Sequence, residues 1–496
     1  MTKNLQELLH LIPQASVTGN QDCLIADMAY DSRKVKQGSL FVCLHGAHVD
    51  GHDYIDEAKQ KGAMAVLVDQ AIPPCSSDLT VIKVADTRAA MQILAPFFYD
   101  YPARKLRMIG ITGTNGKTTT SYLLAGILKA AGFKVGISGT IQTLVGDKVL
   151  PVKNTTPDVI DLQQILVQMV EAGMDYVVME VSSHSLAMQR IAGCEFDGAI
   201  FTNLTQDHLD YHKTLENYRN AKSLLFQSLG KDVTKSNKWA VVNKDDEASQ
   251  TMIDCASGDI YTYSLHGKGN IQADNIHVAA RNSAFTVHSE AGELALSLKI
   301  TGLFNVYNSL AAIGAALAEK IAPAVIKGAM EEFTTVPGRF ELVDADQDFT
   351  VIVDYAHTPD GLENILKTAQ EVASGRIITV FGCGGDRDRT KRPIMGKIAA
   401  SYSDVVIATS DNPRSEDPLI ILKEVEVGIL AALTPKKQYE MIPDRRQAIA
   451  AALRIAQHDD IVMIAGKGHE TYQILKDKTI DFDDRQVVRE VIGELK

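Results

Sequence analysis

The chain has 496 residues, of which 45% are hydrophobic and 23% charged, a globular composition with room for about three domains. The formal net charge is −12 and the basic residues form no run, which argues against a nucleic-acid partner. The N-terminus lacks signal-peptide features and no apolar run approaches the ~20 residues of a membrane span, so we expect a cytoplasmic protein without membrane insertion. Six scattered cysteines, with no zinc-type spacing, predict buried reduced thiols: Cys23, Cys43, Cys75, Cys194, Cys255 and Cys383.

The first 103 residues carry short apolar segments at 39–44 and 63–68, which predict strands. A turn-like segment at 46–53 lies between them, and the breaker YPARK follows at 101–105. This pattern predicts a small α/β domain over residues 1–103.

From Arg107 onward, strands and helices alternate. Strands are predicted at 107–112, 134–140, 176–183 and 198–204, and helices at 117–131 and 158–172. Continuously apolar strands that alternate with helices predict a parallel sheet covered on both faces. We assign this pattern to a central domain, residues 104–336.

The alternation starts again after Pro337, within a domain predicted at 337–496. Its four strand candidates lie at 350–357, 376–384, 404–412 and 460–468, and each ends in polar or glycine-rich residues. Ligands of open α/β sheets bind at the carboxyl ends of the strands, so these four ends are candidate binding positions.

A glycine-rich segment connects the strand at 107–112 to the helix at 117–131. Its backbone N–H groups and the helix N-terminus attract phosphate, Lys117 is placed to reach terminal phosphates, and Thr118 is placed to hold Mg²⁺. The generic phosphate-loop pattern has glycine where this chain has Ile111, so the match fails at one position. The predicted ATP loop comprises Gly113, Thr114, Asn115, Gly116, Lys117, Thr118 and Thr119.

Acidic and imidazole side chains follow the next two strands. Glu180 and His184 lie at the end of one strand, and His208 and His212 follow the other. Their convergence beside a phosphate loop predicts a Mg²⁺ site. Lys222 lies on the following helix, and its local sequence alone indicates an ordinary solvated lysine.

Arginines and a carboxylate follow three strands of the last predicted domain. Arg387 and Arg414 follow two of them, and Glu470 follows a third. Guanidinium forks bind carboxylates and a carboxylate binds an ammonium group, so this combination suits a zwitterionic amino acid. Surface ion pairs are the alternative interpretation.

Ten motifs follow one another in an order that resembles the peptidoglycan Mur ligases over nearly the whole chain. They are GTNGKTT, EVSSH, TNLTQDHLDYH, the Lys222 helix, GLFNVYNSLAA, PGRFE, DYAHTPD, FGCGGDRDRTKRP, DNPRSEDP and AGKGHE. They match the branch of the family that adds the third amino acid to UDP-N-acetylmuramoyl-L-alanyl-D-glutamate. The resemblance implies an α/β fold with a small N-terminal uridine-binding domain, a central P-loop ATPase-like domain with a parallel sheet, and a C-terminal Rossmann-like domain.

The resemblance also implies roles in catalysis and ATP binding. It makes Glu180 and His208 ligands of Mg²⁺ and Lys222 the lysine that these enzymes carbamylate, which turns a cation into an anion able to bind Mg²⁺. With Lys117, these are the predicted catalytic residues. Further ATP contacts are implied at Asn305, Asn308, Arg339 and Asp354.

Substrate positions follow from the same resemblance. Met188 occupies a position that is often glutamine in the family, which leaves that contact open. The implied contacts with the UDP-muramoyl dipeptide are Tyr30, Ser32, Ala47, His48, Val49, Asn154, Thr155, Thr156, Ser182 and Arg190. The implied pocket for meso-diaminopimelate comprises Arg387, Asp411, Asn412, Pro413, Arg414, Gly466 and Glu470.

The resulting hypothesis is an ATP-dependent ligase, expected to be a monomer, that activates the D-glutamate γ-carboxylate as an acyl phosphate. The amine of meso-diaminopimelate then attacks it, with His208 and His357 as candidate proton acceptors. Arg414 favours meso-diaminopimelate over lysine, because it offers a fork to the additional carboxylate and repels a terminal ammonium group. The alternatives are the lysine-adding sister enzyme, a folylpolyglutamate synthase-type ligase, and a non-catalytic ATP-binding relative.

Overall fold

The computed structural model describes residues 1–46, 49–72, 79–152, 154–231 and 234–495. The predicted contacts Ala47 and His48, and also Cys75, lie outside these ranges. Contacts between Cα atoms divide the chain into two compact units. Unit 1 comprises Met1–Tyr263 and Ala311–Ile321, and unit 2 comprises Ser264–Leu310 and Ala322–Lys496.

The N-terminal part of unit 1 forms a five-stranded sheet and a two-stranded one. Its strands are β1 (Lys3–Asn4), β2 (Ser16–Thr18), β3 (Leu24–Ile25), β4 (Asp27–Ala29), β5 (Ser39–Val42), β6 (Ala63–Val68) and β7 (Thr80–Lys83), and its helices are α1 (Leu5–Leu9), α2 (Ile55–Gln60) and α3 (Thr87–Phe98). Short 3₁₀ helices cover Ser32–Lys34, Gly51–Tyr54 and Pro102–Lys105. The larger sheet has the order β2-β7-β6-β5-β4 and is parallel except for β2, whereas β1 pairs with β3. The small α/β domain predicted from the sequence is therefore present.

The central part of unit 1 is built on a second sheet. Its strands are β8 (Arg107–Thr112), β9 (Val135–Ser138), β10 (Thr143–Val145), β11 (Lys148–Leu150), β12 (Tyr176–Glu180), β13 (Gly198–Phe201), β14 (Trp239–Asn243) and β15 (Asp259–Ser264). Its helices are α4 (Lys117–Ala130), α5 (Val159–Glu171), α6 (Ser183–Ala187), α7 (Leu209–His212), α8 (Leu215–Lys231) and α9 (Ser249–Cys255). The order β9-β12-β8-β13-β14-β15 is parallel throughout, and the hairpin β10–β11 continues it antiparallel from β9.

The four strands and two helices predicted in this central part are all found. Their apolar residues are buried because helices cover both faces of the parallel sheet. The hairpin β10–β11 was not predicted, because its two strands have only three residues each and one of them is partly exposed.

Unit 2 begins with an antiparallel meander and contains a third sheet. Its strands are β16 (Ile271–Val278), β17 (Ser283–Ser289), β18 (Gly292–Leu298), β19 (Glu341–Leu342), β20 (Thr350–Asp354), β21 (Ile377–Cys383), β22 (Val405–Ser410), β23 (Gln438–Met441), β24 (Ile461–Ala465), β25 (Tyr472–Ile474) and β26 (Thr479–Asp481). The helices from this point of the chain onward are α10 (Leu303–Ala318), α11 (Pro323–Glu332), α12 (Pro359–Val372), α13 (Lys391–Tyr402), α14 (Pro418–Ala432), α15 (Arg445–Ile455) and α16 (Asp484–Leu495).

The third sheet has the order β19-β20-β24-β21-β22-β23, parallel except for β19. The four strands predicted after Pro337 are its β20, β21, β22 and β24. The edge strand β23 was not predicted, because its residues alternate between exposed and half-buried positions instead of forming a continuous apolar run. Two apolar clusters, one on each face, hold this sheet between its helices.

The cysteines largely follow the prediction. Cys23, Cys43, Cys194 and Cys383 are buried free thiols, whereas Cys255 is only half-buried. None of the described helices combines the length and apolarity that a membrane crossing requires.

Candidate active site

The predicted ATP loop connects the end of β8 to the start of α4. Gly116 immediately precedes the helix with a left-handed φ of 84°. A Cβ atom added at Gly113 would lie 1.8 Å from the Thr202 hydroxyl, so only glycine fits there. Asn203 holds the loop from the next strand end, because its side-chain oxygen accepts the N–H of Asn115 at 2.9 Å. The loop is thus a fixed backbone turn at a helix N-terminus, the geometry that binds phosphate.

Two lysine side chains donate to one carbonyl of this loop. Lys117 Nζ lies 2.9 Å and Lys222 Nζ 2.7 Å from the Gly113 carbonyl oxygen. Lys222 is only 1% exposed and lies over the ring of Tyr218, 4.3 Å from its centroid. The interpretation of Lys222 as a solvated lysine, which its local sequence indicated, is therefore wrong. Helix α8 places the Lys222 side chain in the interior. Burial, and then the charge of Lys117, lower the pKa of Lys222 well below its usual value.

Glu180 at the end of β12 is the centre of a buried hydroxyl network. Its Oε2 accepts hydrogen bonds from the hydroxyls of Thr118, at 3.0 Å, and Thr140, at 2.9 Å. Its Oε1 accepts the N–H of Thr140 at 2.9 Å, and the Thr140 hydroxyl lies 3.1 Å from that of Thr155. The tertiary structure therefore joins a loop residue, a predicted metal ligand and a predicted substrate contact.

Of the three histidines predicted near this site, His184 contacts the other two. The ring centroid of His184 lies 4.7 Å from that of His208 and 5.4 Å from that of His212. Burial, opposed by the charge of Asp207, lowers the pKa of His208. Burial, together with the neighbouring histidines and Lys222, lowers the pKa of His212 to about 4. His212 is engaged with the Ser183 hydroxyl at 2.9 Å, which marks it as structural.

These residues fit a Mg²⁺ ion. Glu180 is 1% exposed and has no ion-pair partner within the described ranges, and a buried carboxylate without a cation is unfavourable. The Thr118 hydroxyl beside it is a second hard oxygen donor. His208, kept neutral by its lowered pKa, offers a ring nitrogen. Lys222 repels a metal ion while it is an ammonium group.

The predicted muramoyl-peptide contacts lie around the end of β12. Thr156 donates to the Glu180 carbonyl at 2.9 Å and its hydroxyl accepts the N–H of Ser182 at 3.1 Å. Ser182 caps the N-terminus of α6, where its hydroxyl accepts the N–H of Ser185. Asn154 is exposed. These contacts anchor two predicted substrate residues to the backbone at the end of β12.

Arg190 and Met188 are in contact. The Met188 sulfur lies 3.3 Å from Arg190 Nη2, and Arg190 Nε lies 3.7 Å from a carboxylate oxygen of Asp158. At the position for which the family resemblance left a contact open, this chain thus places a thioether against the arginine.

The described residues predicted to contact the uridine end lie in the N-terminal part of unit 1. The Tyr30 hydroxyl donates to Asp161 at 2.5 Å, and burial followed by this bond raises the pKa of Tyr30. The Ser32 hydroxyl donates to Glu57 at 3.0 Å, and Val49 is exposed.

In unit 2, the predicted ATP contacts form two pairs. Asn308 donates to the side-chain oxygen of Asn305 at 3.1 Å, one turn apart on α10, and both side chains are buried. Asp354 ends β20, and burial, opposed by the charge of Arg339, raises the pKa of its carboxyl group. The Arg339 guanidinium lies 4.6 Å from the Tyr355 ring centroid.

The predicted amino-acid pocket is held together by a buried lysine. Lys467 Nζ donates to Glu470 Oε2 at 2.7 Å and to the side-chain oxygen of Asn412 at 3.2 Å. Asn412 Nδ2 also donates to Glu470 Oε2, at 2.9 Å. One carboxylate oxygen of Glu470 therefore already has an ammonium partner, so an amino-acid ammonium group would share this charge.

The two arginines of the pocket flank Gly384, which follows β21. A Cβ atom there would lie 3.0 Å from Arg414 Nη1 and 3.8 Å from Arg387 Cγ. Arg414 is half-buried and donates to the Gly385 carbonyl at 2.9 Å, whereas Arg387 is exposed. Gly466 is constrained by the pocket as well, because an added Cβ would lie 2.6 Å from Asp411 Oδ2.

Sequence reasoning assigned no role to Tyr218, Thr140 or Lys467. Tyr218 precedes Lys222 by four residues, a spacing that places both on one helix face and was a usable signal. Thr140 is distant in sequence from Glu180, and Lys467 is one lysine among many, so neither carries a local signal.

Three family models match consecutive parts of the chain. They are described as Mur ligase family, catalytic domain, at residues 25–99, Mur ligase middle domain at 111–316, and Mur ligase, glutamate ligase domain, at 338–468. They support the three-domain architecture expected from the sequence.

Full-length relatives are similar throughout. A protein of Geobacillus thermodenitrificans named UDP-N-acetylmuramoyl-L-alanyl-D-glutamate--2,6-diaminopimelate ligase is 49% identical over 493 residues, 99% of each chain. A protein of Bacillus cereus with the same name is 47% identical over 489 residues, 98% of each chain. A solved structure titled with that name has a TM-score of 0.69 and 33% identity, and the match covers 100% of this chain and 99% of that one. The chain belongs to the Mur ligase family.

Proposed function

We propose that the chain is an ATP-dependent amide ligase that adds meso-diaminopimelate to the D-glutamate γ-carboxylate of UDP-N-acetylmuramoyl-L-alanyl-D-glutamate during peptidoglycan biosynthesis. The observation that carries this proposal is the full-length similarity to relatives named for this reaction, 49% identical in one case. The arginine pair around Gly384 and the loop at β8 supply the local chemistry.

The γ-phosphoryl group of ATP is transferred to the γ-carboxylate, which forms an acyl phosphate and releases ADP. The loop N–H groups and Lys117 offset the phosphate charge. Mg²⁺, when bound through Glu180, Thr118 and His208, would neutralise further phosphate charge. The neutral amine of diaminopimelate then attacks the acyl carbon, and the bond between that carbon and the phosphate oxygen breaks. The departing phosphate takes up the proton that the nitrogen loses, and an amide remains.

Lys222 enters this proposal as a carbamate. Only a neutral amine reacts with carbon dioxide, and the lowered pKa of Lys222 favours the neutral amine. The carbamate would place a negative charge beside the Lys117 ammonium group, because both lysine nitrogens contact the Gly113 carbonyl.

Arg414 is the proposed determinant of the amino acid. Nη1 of its guanidinium donates to the Gly385 carbonyl in the connection between β21 and α13. Arg387 lies beside the same connection, so this edge of the pocket is cationic. Meso-diaminopimelate has a second carboxylate at its far end, whereas the far end of lysine carries an ammonium group and no carboxylate. Charge therefore favours the former and disfavours the latter.

The test is phosphate release from ATP with the UDP-muramoyl dipeptide and Mg²⁺, comparing meso-diaminopimelate with L-lysine. We expect release with meso-diaminopimelate only. We expect the Arg414→Met variant to have a kcat/KM for meso-diaminopimelate about 10–100-fold lower than wild type, because it loses one charged hydrogen bond of about 1.5–3 kcal/mol. Arg454→Met, which changes an exposed arginine on α15, is the matched control.

The outcomes separate the alternatives. Release with lysine would retain the ligase chemistry and overturn the specificity assigned to Arg414. Release with neither amino acid, in a folded protein, would favour a non-catalytic relative. A monomeric state, cytoplasmic localisation and domain boundaries after residues 103 and 336 remain predictions.

A further inference from the structure

A histidine–aspartate cluster lies outside the proposed active site, in the N-terminal part of unit 1. It comprises His45, which follows β5, His52 in the 3₁₀ helix Gly51–Tyr54, and Asp69, which follows β6. One ligand atom from each residue lies within 4.8 Å of the other two. The parallel strands β5 and β6 end at the same edge of the sheet, which is why residues distant in sequence meet there.

Asp50 orients both imidazoles. Its Oδ1 lies 2.6 Å from His52 Nδ1, and its Oδ2 lies 3.0 Å from His45 Nδ1. A carboxylate that accepts the Nδ1–H of a histidine leaves Nε2 as the lone-pair nitrogen, as in carboxylate–histidine–zinc arrangements. Here one carboxylate does this for two histidines.

Both Nε2 atoms approach the same oxygen of Asp69. His45 Nε2 lies 3.0 Å and His52 Nε2 3.3 Å from Asp69 Oδ1. Zinc bonds of about 2.0–2.2 Å in a tetrahedral site place neighbouring ligand atoms about 3.3–3.6 Å apart. The two distances to Asp69 Oδ1 require adjustments of only a few tenths of an ångström, and the two imidazole ligand atoms lie within 4.8 Å of each other. The other oxygen of Asp69 accepts the Thr87 hydroxyl at 3.1 Å, which holds the carboxylate in place.

The buried histidine provides an independent observation. The His52 side chain is 4% exposed, and apart from the 3.3 Å approach to Asp69 Oδ1 its Nε2 has no hydrogen-bond partner in the described part of the chain. A buried polar atom left without a partner is unfavourable, and native structures usually explain such an atom by a bound water or ion. His52 is one of the three residues whose ligand atoms lie close enough together to hold a metal ion.

We propose that His45, His52 and Asp69 bind a divalent transition-metal ion such as Zn²⁺, with the fourth position open to water. Two imidazole nitrogens and one carboxylate oxygen suit zinc and its neighbours better than Mg²⁺, which prefers oxygen ligands. The alternative is a metal-free cluster in which a protonated His45 pairs with Asp50 and Asp69.

The site would constrain the position of Val49, a predicted uridine contact. His45 and Asp50 form an isolated β-bridge, and Gly46 N donates to the Val49 carbonyl at 2.9 Å. A metal ion on His45 and His52 would hold this bridge in place. This consequence for substrate binding rests on the proposed function, whereas the metal site itself does not.

The test measures Zn²⁺ and Co²⁺ binding to the full-length protein, without nucleotide or substrate, by equilibrium dialysis and Co²⁺ absorption. We expect His45→Gln and His52→Gln each to bind one ion per chain fewer than wild type at the same free metal concentration. Asp50→Asn should weaken the affinity by about 10–100-fold, as expected for an orienting carboxylate. His458→Gln, which changes an exposed histidine of unit 2, is the control and should bind as wild type does.

Equal binding by wild type and a folded His45→Gln variant would overturn the proposal, as would no binding by wild type. His45 is more than half exposed, so its substitution keeps the test valid if His52→Gln fails to fold. Because no substrate is present, metal binding and the proposed ligase activity can fail independently.

Discussion

The environment of Lys222 in the fold differs from the exposed position that its local sequence indicates. The segment around it is polar, yet the side chain is buried against the Gly113 carbonyl and the Tyr218 ring. Lys222 has no carboxylate partner within the described ranges. A buried ammonium group without such a partner is unfavourable, and the lowered pKa of Lys222 reflects that cost. Stability alone does not explain a lysine here, so we assign it a functional role.

We expect Lys222→Ala to lose at least about 100-fold in phosphate release, because removing a group that positions phosphate charge costs about 3 kcal/mol. Bicarbonate or acetate added to this variant should restore part of the activity by supplying an anion in the space left. Lys129→Ala, on the exposed face of α4, should retain wild-type activity. Full activity of Lys222→Ala would remove the carbamate from the mechanism.

At the scale of elements, the ends of neighbouring strands place the candidate groups, and helices hold those ends. The Arg445 guanidinium, at the start of α15, is fully buried and pairs with Asp484 at the start of α16 at 2.7 Å. It also donates to the Ala465 carbonyl at the end of β24, at 3.1 Å. This contact fixes the point from which the segment containing Gly466 and Glu470 leaves the sheet.

Arg445→Met should therefore lower the free energy of unfolding by about 3–5 kcal/mol, because Asp484 would remain as an unpaired buried charge. Urea-induced unfolding measures this change. The neighbouring Arg446 forms an exposed pair with Glu490, and Arg446→Met should change stability little. Similar losses in the two variants would contradict the role given to the buried pair.

At the scale of the whole molecule, the proposed site residues are divided between two compact units. The ATP loop, Glu180 and Lys222 belong to unit 1, and the arginine–carboxylate pocket belongs to unit 2. Ligation requires three substrates in one complex, so alignment of bound groups supplies much of the rate enhancement.

ATP turnover should accordingly depend on all substrates. We expect phosphate release to fall to background when either the UDP-muramoyl dipeptide or meso-diaminopimelate is omitted, because no stable product forms without both. A coupled assay for ADP measures the same dependence independently. Rapid ATP hydrolysis by the protein alone would contradict this coupling.

The sequence by itself determined the features that depend on neighbouring residues. Continuous apolar runs followed by polar residues form the strands that precede the ATP loop and that end in Glu180 and Asp354. Such runs can be identified from the sequence without knowledge of tertiary contacts. The glycine pattern from Gly113 to Gly116 determines the loop for the same reason, and the order of motifs identified the family.

Only the tertiary structure decided which side chains meet. Three contacts join residues from separate elements. They are the contact of Lys222 with the Gly113 carbonyl, the bond from Thr140 to Glu180, and the bond from Asn412 to Glu470. The cluster of His45, His52 and Asp69 forms because two parallel strands end at one edge. Such contacts leave no periodicity in the sequence, because their geometry depends on how the sheets and helices pack.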